Sequence, residues 1–302
     1  MGTPAFAAVS LDALVEAGLA PVLVATTPDA LGRRGKPDQP SAVKAAAVRH
    51  GLPVVTPASV KDASFAEAVA AARPDLIVVV AFKILPPSVF GASRLGAFNL
   101  HGSLLPAYRR AAPIQRAVMA GETVTGATTF LLQEKVDTGS ILRTVETPIG
   151  PDETAGDVAA RLQTLGAALV VETARGLLAG TLTPRPQDDA LASPAPKLFR
   201  DEGRLDPLRP AQALHDHARG FSPAPGAWLE LPDGTTLKVL RTERGGAVSG
   251  APGTLVRDGD ALALACSDGR ALGLVEVQPE GGRRMPGADW MRGAGAPHVA
   301  AG

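Results

Sequence analysis

A doubly wound α/β domain followed by a small all-β module is the architecture this sequence predicts, and three observations carry it. Apolar runs of four to seven residues recur through the first hundred positions: PVLVAT (21–26), LPVV (52–55), LIVVVAF (76–82) and AFNL (97–100). They are continuous rather than alternating, as strands of a parallel sheet covered on both faces must be. Helical patterns separate them, which is the strand–helix alternation of an α/β fold. Beyond residue 220 that alternation gives way to five strand-like runs in about 80 residues, three of them joined through Asp-Gly.

In chain order, FAAVSLDALVEAG opens the sequence as a helix directly after Met1-Gly2-Thr3-Pro4. SAVKAAAVRHG (41–51) and DASFAEAVAAARP (62–74) are the next helices, with Ser41 and Asp62 as caps and Gly51 and Pro74 as stops. TGATTFLLQE (125–134) and SILRTVETPI (140–149) read as two further strands, and a long helix follows from about Thr154 to Gly180. TPRPQDDALASPAPK lacks periodicity and is punctuated by Pro and Ser, so residues 183–200 read as a linker between a domain at 1–182 and another at 201–302. After a short helix at 210–219, the strands AWLEL, TLKVLRTE, GTLVRD, ALALACSD and ALGLVEVQ are joined at PDGT, RDGD and SDGR. Glycine in such turns accepts the positive φ that tight hairpins need. Five short strands of this kind fit a small OB-like β-barrel.

The N-terminal reading leaves a gap. A doubly wound sheet calls for a strand before its first turn and helix, usually the central one, and none precedes GTPAFA. The expectation is a start assigned downstream of the true one, with a handful of apolar residues upstream.

Composition narrows the function classes. Thirty Lys+Arg balance thirty Asp+Glu, which excludes a globally basic nucleic-acid coat but leaves room for a local patch. The single cysteine, Cys266, excludes an internal disulfide framework and a multi-cysteine zinc site, and it fits a reducing compartment. The longest apolar run, 76–82, falls far short of the ~20 residues that cross a bilayer. No basic segment precedes an apolar core at the N-terminus, so the expectation is a cytoplasmic protein with no membrane partner.

The stretch that carries chemistry is AFNLHGSLLPAYRRAAPIQR (97–116). Asn99 and His101 fall at the carboxyl end of an apolar strand, where open α/β sheets place ligands, and residues two apart share a face. A neutral amide donor beside an imidazole can hold a developing oxyanion while a proton is managed near neutral pH. Asp137, in the turn EKVDTG, is a carboxylate that joins them if the chain folds back. The trio includes no nucleophile, which suggests direct transfer to an incoming nucleophile rather than a covalent acyl-enzyme. Plainer readings stand beside this one on spacing alone. Asp-Thr-Gly is ordinary turn chemistry, and polar residues at a strand end also satisfy backbone groups.

NLHGSLLP, RAAPIQRAVMAGE and EKVDTGSIL together resemble the folate-dependent formyltransferase family. The likeness runs the whole chain, through GTPAFA, GRRGKPDQPSAVK, AFKILPP, APKL, ARGFSPAPGAW and RRMPGADWMRG. It implies a Rossmann-like formyltransferase domain ahead of the OB-like module, and a monomer. It implies transfer of a formyl group from 10-formyltetrahydrofolate to the α-amino group of methionine on initiator tRNA, with no metal. Asn99, His101 and Asp137 would be the catalytic trio, and Ser103, Leu104, Leu105 and Pro106 would contact the folate. Arg33, Arg34 and Lys36 in the loop GRRGK, and Lys197 after the linker, would contact the tRNA. From Lys197 onward 13 Lys+Arg meet 13 Asp+Glu, so any basic groove there must come from segregation of sign.

Two departures accompany the likeness besides the absent strand. AFKILPP lacks a glycine after the aromatic, and Arg110 stands where the family has glycine, which is costly if that position needs positive φ. The rival readings are a sugar-amine formyltransferase, a formyltetrahydrofolate hydrolase, or an inactive tRNA-binding relative. AAPIQ and the C-terminal module argue against the first two.

Overall fold

The runs of the first half fold into the alternation they predict in the computed structural model, which describes residues 1–31 and 38–293. In order these are α1 (Ala5–Glu16), β1 (Val24–Ala25), α2 (Ala42–Arg49), β2 (Val54–Val55), α3 (Ala63–Ala71), β3 (Ile77–Val80), α4 (Pro87–Phe90) and β4 (Ala97–His101). Then follow α5 (Pro113–Met119), β5 (Val124–Leu131), β6 (Ile141–Pro148) and the long α6 (Ala155–Leu178). α1 buries Ala7, Ala8, Leu11 and Leu14, one stripe at helical spacing. Ser41 caps α2 by accepting from the Lys44 N–H at 3.0 Å. Asp62 corrects its expected role. It makes no capping bond to α3, because its carboxylate accepts from the Ser59 N–H of the preceding turn. At α6, Thr154 and Asp157 cap reciprocally: each side chain accepts from the other's backbone N–H.

Two sheets form where a doubly wound fold would have one. β1 pairs with β2 in parallel, while β3, β4, β5 and β6 lie side by side in that order, with β3 and β4 parallel and β5 antiparallel to β4. Met1 and Gly2 hold the position between the sheets. Gly2 N–H donates to Ala25 O, Val80 N–H to Met1 O, and the Met1 amine to Val78 O at 2.7 Å. Beside them an apolar cavity of about 380 Å³ opens between the two sheets, walled by Leu11, Leu14, Leu23, Val69, Ile77 and Leu178.

The second half is β-rich as predicted, with α7 (Ala211–Phe221) ahead of β7 (Ala227–Glu230), β8 (Thr236–Ala247), β9 (Leu255–Asp258), β10 (Ala261–Ala265), β11 (Arg270–Pro279) and β12 (Met285–Pro286), and it ends on a short helix the sequence reading did not include, α8 (Gly287–Arg292). The strand order is 7-8-11-10-9, with β12 on β11. The turns at Gly234, Gly259 and Gly269 have the positive φ the Asp-Gly pairs promised. Leu214, Phe221, Leu237, Leu262, Leu272 and Trp290 share its core.

The chain divides into two units that are not contiguous stretches. One comprises Met1–Pro113, Gly126–Thr147 and Ala159–Ala195; the other comprises Ile114–Thr125, Pro148–Val158 and Pro196 onward. Gly220 shows why α5 belongs with α7: a Cβ there would meet Met119 and lie 3.0 Å from the Gln115 carbonyl oxygen. Within the same unit Arg219, 5% exposed, pairs with Asp216 at 2.7 Å and donates to the carbonyls of Gly150 and Glu153. His215 holds Thr242 Oγ1 through Nδ1 and Pro151 O through Nε2.

Burial pulls the Met1 amine from 8.0 down to about 5. Between those values the unfolded chain binds a proton that the folded chain refuses, so stability rises with pH across the window. We expect the urea midpoint to climb from pH 5 to pH 8 in the chain that keeps Met1. A Gly-Ser extension ahead of Met1, which removes the buried amine, should flatten that slope. A slope that survives the extension would contradict its assignment to the Met1 amine.

Candidate active site

β4 delivers the two residues the sequence singled out. Asn99 pairs with Val79 of β3 and Phe130 of β5, and His101 stands at the carboxyl end of the same strand, two residues on and facing the same way. The Asn99 amide is half-buried and makes no hydrogen bond among the described residues. His101 is 7% exposed, with Phe130 edge-on at 6.4 Å between ring centroids.

His101 Nε2 lies 2.8 Å from the Tyr108 carbonyl oxygen. A carbonyl only accepts, so Nε2 carries the hydrogen and the neutral ring keeps its lone pair on Nδ1. Burial holds the His101 pKa below its ordinary 6.5, while the Asp137 charge and the Tyr108 carbonyl pull it back up. The ring is therefore neutral at pH 7, with Nδ1 able to accept a proton.

The loop after β4 is tied down from within and from β5. Ser103, fully buried, donates to Ala107 O at 2.6 Å. Thr128 Oγ1 accepts from Leu105 N–H and donates to Ser103 O. Leu105 packs with Phe130 and Ile141, Leu104 and Pro106 remain half-buried, and the Leu105–Pro106 peptide is cis.

Asp137 does fold back to this loop. Its Oδ2 accepts from the Arg110 N–H at 2.8 Å, two residues beyond the carbonyl that holds His101. Asp137 has φ +56° and Arg110 φ +94°, so the position read as a glycine replacement does adopt positive φ. Gly139 completes the turn because a Cβ there would collide with the Leu131 carbonyl oxygen. The structure thus brings Asn99, His101, Asp137 and the 103–106 loop into one unit.

Of the expected tRNA contacts, Lys197 is the one among the described residues. Arg33, Arg34 and Lys36 lie outside the described residues. Lys197 belongs to the second unit and is exposed, with Nζ 5.9 Å from the Phe199 ring centroid. Among the described residues no cluster of three His, Cys, Asp or Glu could hold a metal ion. Cys266 is a core residue whose thiol burial pushes up to about 11. Sequence reasoning missed Thr128, Arg109 and Gln187, all of which brace the site. Thr128 was one threonine among several in a strand, and Gln187 lay in a stretch without periodicity.

The family profile described as formyl transferase matches residues 1–174, and that described as formyl transferase, C-terminal domain, matches residues 197–295. A methionyl-tRNA formyltransferase of Chlorobium phaeovibrioides is 46% identical over 300 residues, covering 97% of this chain and 93% of the relative. One from Pseudomonas paraeruginosa is 47% identical over 290 residues, covering 95% and 93%. Among solved structures, an N-formyltransferase from Helicobacter canadensis, in complex with folinic acid and dTDP-3-aminofucose, superposes with a TM-score of 0.67. It is 16% identical, over 90% of this chain and 96% of that one, and it shows the fold.

A non-glycine residue at φ +94° carries strain of about 1–3 kcal/mol, against about 0.5–1 kcal/mol of extra unfolded-state entropy for glycine. Arg110→Gly should therefore gain about 1 kcal/mol while keeping the N–H that Asp137 accepts. Chemical denaturation checks this, and a destabilised variant would contradict it.

Proposed function

The chain belongs to the formyl transferase family, and on that premise we propose that it transfers a formyl group from 10-formyltetrahydrofolate to the α-amino group of methionine on initiator tRNA, for translation initiation. The observation that carries this reading is identity of 46% with a methionyl-tRNA formyltransferase across nearly the full length of both chains, second unit included. The sugar-amine alternative has only fold-level likeness on its side.

The chemistry follows from the geometry. The amine nitrogen of the acceptor attacks the formyl carbon and the carbonyl electron pair moves to oxygen, forming a tetrahedral oxyanion. The unpartnered Asn99 amide N–H points the reading to that oxyanion, since preorganised donors act where charge develops. His101, neutral with its lone pair on Nδ1, takes the proton the amine sheds and can return one to N10 of the tetrahydrofolate as the C–N bond breaks. Asp137 stabilises the imidazolium that forms in between. The loop Ser103–Pro106, tied by Thr128, forms the wall for the folate.

Arg33, Arg34, Lys36 and Lys197 contact the tRNA, as cationic side chains do through phosphate oxygens. The enzyme acts as a cytoplasmic monomer without a metal. Among the described residues no helix is long and apolar enough to cross a membrane.

Formyl transfer to methionyl-initiator tRNA tests the reading directly, and absence of transfer by the wild-type chain would overturn it. His101→Ala should lower kcat by about 10²–10⁴-fold with tRNA affinity unchanged; equal loss of both would remove its assigned role. Arg34→Ala should raise KM for the tRNA with kcat largely kept, and unchanged kinetics would refute the contact.

A further inference from the structure

Resting on the reading above, we propose that Gln187 is a positioning residue for the reaction, with Arg109 as its anchor, fixing the Asp137 turn against the loop that holds His101. The segment 183–195, which the sequence marks only as punctuation, is strapped to that loop by backbone pairing. Arg109 N–H donates to Ser193 O at 2.8 Å, Ala195 N–H to Arg109 O at 2.6 Å, and Tyr108 N–H to Ser193 Oγ at 2.9 Å.

The side chains complete the arrangement. Arg109, 12% exposed, points Nε and Nη2 at Gln187 Oε1, at 3.1 and 2.8 Å, and Nη2 also reaches Asp189 Oδ1 at 2.7 Å. Gln187 Nε2 in turn donates to the backbone oxygens of Asp137 at 3.0 Å and Gly139 at 2.8 Å. The amide has one possible orientation. A guanidinium offers no acceptor and a carbonyl no donor, so the oxygen must face Arg109 and the NH₂ must face the turn.

Both functional side chains are therefore indexed to three consecutive residues. Tyr108 accepts from His101, Arg110 donates to the Asp137 carboxylate, and Arg109 between them grips Asp137's backbone through Gln187. Asp137 itself sits at φ +56°, a conformation that relaxes readily without restraint. Gln187 touches neither ring nor carboxylate, so its effect on the reaction runs through Asp137.

The test is a double-mutant cycle of Gln187→Met and Asp137→Asn, with kcat and KM for formyl transfer and the titration point of His101 read by NMR in each protein. Gln187→Met keeps the chain length without the amide. It should lower kcat about 10–100-fold, leave KM for the tRNA unchanged, and move the His101 titration to lower pH, as expected when Asp137's charge is no longer held close. The double variant should be no slower than Asp137→Asn alone. Wild-type kcat in Gln187→Met, or losses that multiply in the double variant, would overturn the proposal. Should Gln187→Met fail to fold, Gln187→Glu reads the same kinetic cycle, because it still accepts from Arg109 but cannot donate to the turn. If the wild-type chain transfers no formyl group, the functional reading fails, and the His101 titration alone still decides whether Gln187 holds Asp137 in place.

Discussion

The hydrogen bond from His101 Nε2–H to the Tyr108 carbonyl oxygen determines what the rest of the site can do. It selects the tautomer, leaving Nδ1 as the basic nitrogen. It also ties the imidazole to a loop whose next residues reach Asp137. Burial removes most of the competing solvation, so the ring is neutral at physiological pH and the field of one carboxylate is felt strongly. A solvated histidine in the same strand position would have no fixed tautomer and a charge that changes between pH 6 and 7.

Holding that arrangement requires backbone conformations that side chains normally avoid. Tyr108, Arg110 and Asp137 all have positive φ, each at a cost of about 1–3 kcal/mol. Such strain persists only where surrounding bonds over-determine it, and the bonds are identifiable here. Thr128 fixes the start of the loop, Ser193 and Ala195 its end, and Gln187 the turn opposite. Two separate stretches of chain restrain the site, β5 and the segment 187–195, while Asn99 keeps an amide unpartnered among the described residues for a ligand.

Much of this was legible in the sequence, for physical reasons that differ by element. The buried strands declared themselves through continuous apolar runs, and the β module through Asp-Gly turns whose glycines do take positive φ. Asn99 and His101 were found because a strand end and a period of two place them together. Asp137 was readable only as a candidate, since Asp-Thr-Gly describes a turn whether or not its carboxylate is used. Gln187 was hidden: its role depends on a contact with Arg109 across 78 residues, for which no local pattern exists. Asp62 failed as a cap because a competing backbone N–H lay closer to hand.

The central claim is that His101 is a neutral, buried base whose hydrogen sits on Nε2. The direct measurement is the ¹⁵N spectrum of the His101 ring as a function of pH in the folded, unliganded protein. The account predicts a protonated Nε2 and an unprotonated Nδ1 at pH 7, with the second proton added only below pH 6.5. A ring protonated on Nδ1, or one that titrates at or above 6.5, would contradict it.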